Sequence, residues 1–433
     1  MKTAINEYNQ STAISGSIPE QILDIGRRAR MASRALMGLT TDQKNEALHA
    51  MADSLDQHTA RIQEVNAKDV KAAKENGLSD AMVDRLVLND QRMTSMIQGF
   101  RDIAKLPDPV GRVLKSWEKE NGLRLEKKAV PIGVIGMIYE SRPNVTGDAA
   151  ALCLKASNAI ILRGGSEALR SNLVIAGALQ EGGKAAGLPE HAIQVVPVRD
   201  REAVKTLITM DKYVDILIPR GGEGLIRMIA ENATIPVLKH YKGVCHVYVD
   251  SDADHEKALA IVENAKCQRP GVCNAAETLL VSAPIAENWL PKMAEILLKR
   301  GVELRGDNRT CELVPGVKPA TEEDWYTEYL DMILSVRVVE GIEQAVDHIN
   351  SYGSGHSDAI VTENREHQEY FGRMVDSAAV YINTSTRFTD GAEFGMGAEI
   401  GISTDRLHAR GPVGLEELTS YKYVITGNGQ IRE

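Results

Sequence analysis

Apolar and polar positions change rhythm along the chain. In the first hundred residues they recur at helical spacing: Leu48, Met51 and Leu55 share one face of the segment after Thr41, and Ser17-Ile18-Pro19-Glu20 has the spacing of a capping box, so this stretch is predicted to be helical. Residues 113–128, VLKSWEKENGLRLEKK, place Asn121-Gly122 between two β-prone arms and predict a tight hairpin with positive φ at its turn. From Val130 the pattern becomes strand, helix, strand. PIGVIGMIYE is an apolar strand, DAAALCLKA a helix and NAIILRGG a second strand; the helix-prone LRSNLVIAGALQEGGKAAG, the strand IQVVPV, the helix-prone AVKTLITM and the strand VDILIPRGG continue it. Such alternation predicts a parallel sheet covered on both faces, a doubly wound α/β domain whose ligands lie beyond the carboxyl ends of its strands. HVYVDSDAD predicts another strand opening a second α/β region, and the tail from Leu415 alternates in TSYKYVITG as an edge or exchanged strand does.

Composition narrows what these elements serve. The 433 residues are enough for about two or three domains, 43% hydrophobic residues supply their cores, and 4% aromatics make those cores aliphatic. A formal net charge of −10 offers no electrostatic footprint for nucleic acid or an anionic membrane, so an anionic ligand must be met by local cations. The start lacks an apolar leader and no apolar run approaches the roughly 20 residues that cross a bilayer, which predicts a soluble, cytoplasmic protein. Five cysteines, Cys153, Cys245, Cys267, Cys273 and Cys311, are odd in number without a CxxC, as free thiols in a reducing compartment are. The ten histidines form no HExxH and no HxH, so no metal site is predicted.

The candidate chemistry lies in loops. There is neither a GxGxxG nor a P-loop. Two Arg-Gly-Gly turns remain, Arg163-Gly164-Gly165-Ser166 and Arg220-Gly221-Gly222-Glu223, each after a predicted strand and before a predicted helix. There backbone N–H groups and a helix dipole hold phosphate, or else the glycines merely turn the chain. In YESRPNVT, Arg142 and Asn144 flank Pro143 as a polar turn or as groups for a phosphate or carbonyl. Cys273, in PGVCNAAETLLV, follows a Pro-Gly break and is expected near a helix start, where a thiol is acidified and N–H groups form an oxyanion hole. From spacing alone, a lone cysteine is more often a small buried hydrophobe.

Taken together, PIGVIGMIYESRPNVT, NAIILRGGSEALRSN, ILIPRGGEGLI, KHYKGVCHVYVD and PGVCNAAETLLV resemble the successive landmarks of the aldehyde dehydrogenase superfamily, in the wording of its acyl-phosphate branch, the gamma-glutamyl phosphate reductases. The likeness runs from about Leu39 to the C-terminus. It implies an aldehyde dehydrogenase-like α/β fold: N-terminal helices and a Rossmann-like cofactor domain in residues 1–112 and 129–245, a catalytic domain in 246–400, and a β-arm for homo-oligomers in 113–128 and 415–433. It makes Cys273 the nucleophile and matches Asn144, across a short gap, to the oxyanion-side asparagine. Arg163, Gly164, Gly165 and Ser166, with Arg220, Gly221, Gly222 and Glu223, become cofactor contacts for NADPH. Arg142, and Arg387 in NTSTRFTDG, are assigned to the phosphate or α-carboxylate of the substrate.

The implied reaction is NADPH-dependent reduction of L-glutamyl 5-phosphate to L-glutamate 5-semialdehyde with release of phosphate, through a cysteine thioester, in proline biosynthesis. Glutamate 5-kinase, which supplies the acyl phosphate, is a possible partner. One departure stands out: His240, in LKHYKG, occupies the place where hydrolytic members keep the glutamate that activates water. A histidine there favours transfer to phosphate, although it can itself act as a base. Two other outcomes stay open at this level, an enzyme that hands its thioester to coenzyme A and a catalytically silent binding protein of the same fold.

Overall fold

The computed structural model describes residues 16–432. The chain divides into two compact units. The first runs to Lys239 and takes in Gly395–Gly401 and the tail from Val413; the second holds His240–Phe394 and Ile402–Pro412. The division therefore lies between Lys239 and His240 rather than after residue 245. Residues 395–400, placed with the catalytic part on sequence grounds, fold back on the first unit because Ile400 N–H donates to the Val413 carbonyl at 2.9 Å and Val413 N–H to Gly401 at 2.7 Å.

In the first unit, helices span Ile18–Leu36, Thr41–Glu75, Asp80–Leu86 and Asp90–Lys105. Ser17 N–H donates to the Glu20 carboxylate at 2.8 Å, closing the helix start that the sequence marks. Leu48, Met51 and Leu55 are buried on one face. Next come β1 (Val113–Glu118), β2 (Arg124–Pro131), β3 (Val134–Tyr139), β4 (Ala159–Gly164), β5 (Ile193–Val195) and β6 (Ile216–Arg220). The last four form a parallel sheet in the order β5-β4-β3-β6. The chain steps from β3 through β4 to β5 on one side and returns to the other side at β6, so the crevice beside β3 is the topological switch point. Register fixes what surrounds it: Tyr139 of β3 is level with Gly164 of β4 and with Arg220 of β6. Both Arg-Gly-Gly turns therefore leave the sheet at the same height.

β1, β2 and the C-terminal strand Thr419–Thr426 make a separate three-stranded antiparallel sheet with β2 in the middle. Its hairpin turn is looser than Asn-Gly suggests. Gly122 alone carries positive φ (82°), and the loop spans Lys119–Leu123, closed by Lys119 N–H to the Leu123 carbonyl at 2.9 Å and Gly122 N–H to Lys119 at 2.8 Å. Asn121 is left with an ordinary φ because the longer loop turns the chain without it.

The second unit is built on β7 (Cys245–Val249), β8 (Ala276–Ser282), β9 (Glu303–Gly306), β10 (Lys318–Pro319), β11 (Ile333–Val339), β12 (Ser357–Val361) and β13 (Ala379–Ile382). They form a parallel sheet in the order β10-β9-β11-β8-β7-β12-β13. One face packs Val247, Leu279 and Val281 against Trp289, Leu290 and Met293, while the other packs Tyr248 and Leu280 against Ile349 and Phe371. With both faces covered, β7 and β8 are buried along their whole length, their polar residues His246, Glu277 and Thr278 included. Among the described residues, no helix is long and apolar enough to cross a membrane.

Candidate active site

In the second unit, the helix His255–Cys267 ends, the chain turns, and β8 begins at Ala276. Cys273 sits in that turn, which Ala275 N–H closes onto the Val272 carbonyl at 3.1 Å. No helix starts there. The run Thr278-Leu279-Leu280-Val281 is a strand, fully buried in a parallel sheet, so a helix dipole at the thiol is not part of this site.

What the fold supplies instead is a backbone held from several sides. Gly243 lies so close to the turn that a Cβ there would come within 1.8 Å of the Cys273 carbonyl oxygen, so only glycine fits. The Cys245 thiol donates to that same carbonyl at 3.2 Å. The Asn274 carboxamide donates to the Thr389 carbonyl at 2.9 Å and accepts from the Arg387 guanidinium, while Thr386 Oγ1 donates to the Asn274 carbonyl at 2.7 Å. Arg387 is thereby brought against the Cys273 turn, with its Nε on the Gln268 side-chain oxygen at 2.9 Å. Burial and the neighbouring Arg269 push its guanidinium pKa down, although a group of this kind keeps its charge.

His240 belongs to the same locus. Its Nδ1 is 2.9 Å from the Ile402 carbonyl, which can only accept, so Nδ1 carries the proton and Nε2 the lone pair. The ring packs edge-on to His356, with centroids 5.5 Å apart. Ligand atoms of His240, Cys273 and His356 all lie within 4.8 Å of one another. These side chains precede the neighbouring strands β7, β8 and β12, so this locus forms at the amino ends of its sheet. His356 and Cys245 were not singled out from sequence, because parallel pairing joins loops far apart in the chain. The available signal was the Gly-rich SYGSGHSDAI ahead of a strand.

The first unit holds the remaining residues. Arg163, next to last in β4, is half-buried, donating to the carbonyls of Gly164 and Arg199, each at 3.2 Å, and burial pushes its pKa down. Ser166 opens a short 3-10 turn. Gly222 N–H donates to the Glu140 carboxylate at 2.9 Å, and a Cβ on Gly221 would meet that carboxylate at 2.6 Å. Ser141 N–H and Oγ donate to Glu167 at 2.7 and 2.8 Å. Two carboxylates thus stitch the loop after β3 to both Arg-Gly-Gly turns, and Glu140 takes the Gly222 amide that sequence reasoning left for a phosphate. Neither Glu140 nor Glu167 was foreseen, since their role depends on the register of β3 with its neighbours. Glu223 starts the helix Glu223–Asn232 and pairs with Arg227 at 2.6 Å. Arg142 is exposed. Asn144 is the first residue of the helix Asn144–Lys155, its Nδ2 donating at 2.9 Å to Asp148, whose carboxyl burial raises to about 6.

The contact at Gly243 leads to a test. Gly243→Ala drives a Cβ into backbone rather than into a side chain that can swing away, so the Cys273 turn must move. Displacement near 1 Å at a reacting group costs roughly 10²-fold in rate, and overpacking costs about 1–3 kcal/mol. Turnover and urea unfolding are expected to show both losses. Gly271→Ala, whose Cβ would meet only the Leu330 carbonyl at 3.7 Å, is the expected near-neutral control.

Comparison with known proteins gives this geometry its relatives. The aldehyde dehydrogenase family profile matches residues 8–323. A gamma-glutamyl phosphate reductase of Moorella thermoacetica is 56% identical over 408 residues, covering 94% of this chain and 98% of that protein. One from Halothermothrix orenii is 53% identical over 416 residues, covering 96% and 100%. The crystal structure of gamma-glutamyl phosphate reductase from Thermotoga maritima superposes with a TM-score of 0.94 at 50% identity, over 95% of this chain and 100% of that one. An acetylating aldehyde dehydrogenase from Geobacillus thermoglucosidasius shares the fold at 17% identity, with a TM-score of 0.67 over 96% of this chain and 98% of that one.

Proposed function

Because the chain belongs to the aldehyde dehydrogenase family, and within it to the gamma-glutamyl phosphate reductases, we propose that it reduces L-glutamyl 5-phosphate to L-glutamate 5-semialdehyde with release of phosphate, in proline biosynthesis. The observation that carries this proposal is the Cys273 turn, a half-buried thiol on a clamped backbone with Arg387 beside it, in a chain so close to the reductases. Cys273 attacks the acyl carbon, and the carbon–oxygen bond to phosphate breaks with its electron pair leaving on phosphate, so a thioester remains. The Cys273 N–H and the Asn144 carboxamide are assigned to the oxyanion. Arg142 and Arg387 are assigned to the anionic ends of the substrate. The thiohemiacetal formed by reduction collapses to the aldehyde and frees the thiolate. His240, held by Nδ1 on the Ile402 carbonyl and within 4.8 Å of the Cys273 ligand atom, is assigned to carry the thiol proton.

The residues present fit a nicotinamide dinucleotide. A Cβ on Gly164 would meet the buried Asn172 and Tyr139 side chains, on Gly165 and Gly221 the carboxylate ends of Glu167 and Glu140, and on Gly222 or Gly224 nothing, so the outer side of the second turn is open. Arg163, Gly164, Gly165, Ser166, Arg220, Gly221, Gly222 and Glu223 would hold it. When bound, NADPH supplies the hydride. Arg163 and Arg220 support NADPH over NADH by their charge. The sheet of β1, β2 and the last strand, which exposes Tyr421, Tyr423 and Ile425, supports an arm for a homo-oligomer, and a cytoplasmic setting with glutamate 5-kinase as supplier completes the proposal.

The test is NADP⁺ reduction by glutamate 5-semialdehyde with and without inorganic phosphate. Turnover is expected only with phosphate. Equal turnover without it would mean hydrolysis, and a requirement for coenzyme A in its place would mean an acylating enzyme.

A further inference from the structure

From the cluster of Cys273, His240 and His356 we infer a second property of this locus: it binds a thiophilic divalent cation, zinc foremost, through one thiolate and two imidazoles, and binding silences the nucleophile. The donor set is one sulfur and two nitrogens whose ligand atoms are mutually within 4.8 Å. Ligands on a tetrahedral zinc ion, with Zn–S near 2.3 Å and Zn–N near 2.0–2.1 Å, stand about 3.3–3.6 Å apart, so a contraction on the order of 1 Å closes the site. Cys273 and His240 are both half-buried.

The surroundings are arranged as metal sites arrange theirs. A ligating imidazole holds its other ring nitrogen on a carbonyl or a polar side chain, which fixes tautomer and orientation. His240 does this through Nδ1–H to the Ile402 carbonyl at 2.9 Å. His356 has its Nδ1 2.8 Å from Ser357 Oγ, and Ser357 Oγ is in turn 2.6 Å from Thr389 Oγ1. Three protein ligands leave a fourth position for water or another small donor. Softness decides the ion: a thiolate with imidazoles suits zinc, cobalt or cadmium, whereas magnesium and calcium want oxygen. Binding exchanges the thiol proton for the metal and ties up the sulfur lone pair that attack requires, so the inhibition is reversible by a chelator.

Cobalt(II) titrated alone into the purified, reduced, full-length protein reads this directly, because the spectrum needs no substrate and no turnover. The expected result is a stoichiometric thiolate-to-cobalt charge-transfer band with the visible bands of tetrahedral cobalt, displaced by zinc and absent in Cys273→Ala. His240→Ala is expected to weaken cobalt binding at least about 10-fold. A missing band overturns the inference, as does a band that survives in Cys273→Ala and therefore belongs to another cysteine. Unchanged affinity in both His240→Ala and His356→Gln also overturns it; His240 is half-buried, so its variant stays informative if the buried His356 variant fails to fold. Since metal binding is read without catalysis, this inference and the proposed reaction can fail independently.

Discussion

Cys273→Ala is expected to abolish phosphate-dependent reduction of NADP⁺, by a factor on the order of 10⁵, while leaving the fold in place. The two effects separate because every clamp on the turn grips backbone or Asn274 and none grips the sulfur. Gly243 abuts the Cys273 carbonyl, the Cys245 thiol donates to it, and Asn274 holds the 386–389 segment. Truncating a half-buried thiol removes little buried area, so urea unfolding should shift by less than about 1 kcal/mol. Cys273→Ser should be about as inactive, since a hydroxyl here has no acidity to match a thiolate. Steady-state assays of both variants, with unfolding curves on the same preparations, check this. Activity surviving in Cys273→Ala would return that sulfur to packing.

Lys266→Met is expected to be the most damaging single substitution for stability, at about 3–5 kcal/mol. Lys266 Nζ and Glu277 Oε2 are 2.6 Å apart and both side chains are fully buried. They sit on either side of the Cys273 turn, on the helix that enters it and the strand that leaves it. The other Glu277 oxygen accepts from Leu330 N–H at 3.0 Å. Removing the lysine strands a carboxyl that burial already pushes up to about 7, against the pull of Lys266 itself. The sign follows from linkage. A folded pKa above the unfolded value of 4.5 means that the native state holds the proton more tightly. Without Lys266 the folded pKa rises further still, so the deficit against the wild type is smallest below about pH 7, where both native states hold the proton, and grows as pH rises above it. Lys266→Met/Glu277→Leu should recover most of the loss and flatten that slope, keeping only the cost of an orphaned Leu330 N–H, about 1–3 kcal/mol. Urea unfolding at about pH 5, 7 and 9 distinguishes the two variants. Equal stabilities for single and double variants would show that the pair contributes nothing as a pair.

The parallel sheet of the first unit was legible because β3, β4, β5 and β6 are short, largely apolar runs, and the helices ahead of it open on Ser17, Thr40, Ser79 and Asn89. The second unit shows where pattern fails. Leu279-Leu280-Val281 is buried on both faces, and over so few residues a buried strand and a buried helix segment have the same apolar signature; the helix expected beside Cys273 came from that ambiguity. The significance of Cys273 came from resemblance, since spacing alone does not separate a nucleophile from a small hydrophobe. Glu140, Glu167 and His356 were invisible for another reason: what they touch is decided by which strands pair, and in what register.

The clamp around Cys273 also dictates when in folding its turn is fixed. Gly243 and Cys245 lie upstream of it, but His356, Thr386, Arg387 and Thr389 lie far downstream. Contacts of such long sequence separation close late, after the intervening strands have found their places. The Cys273 turn is therefore fixed only in a chain grown past Thr389, so a C-terminal truncation before residue 386 removes half of what holds it.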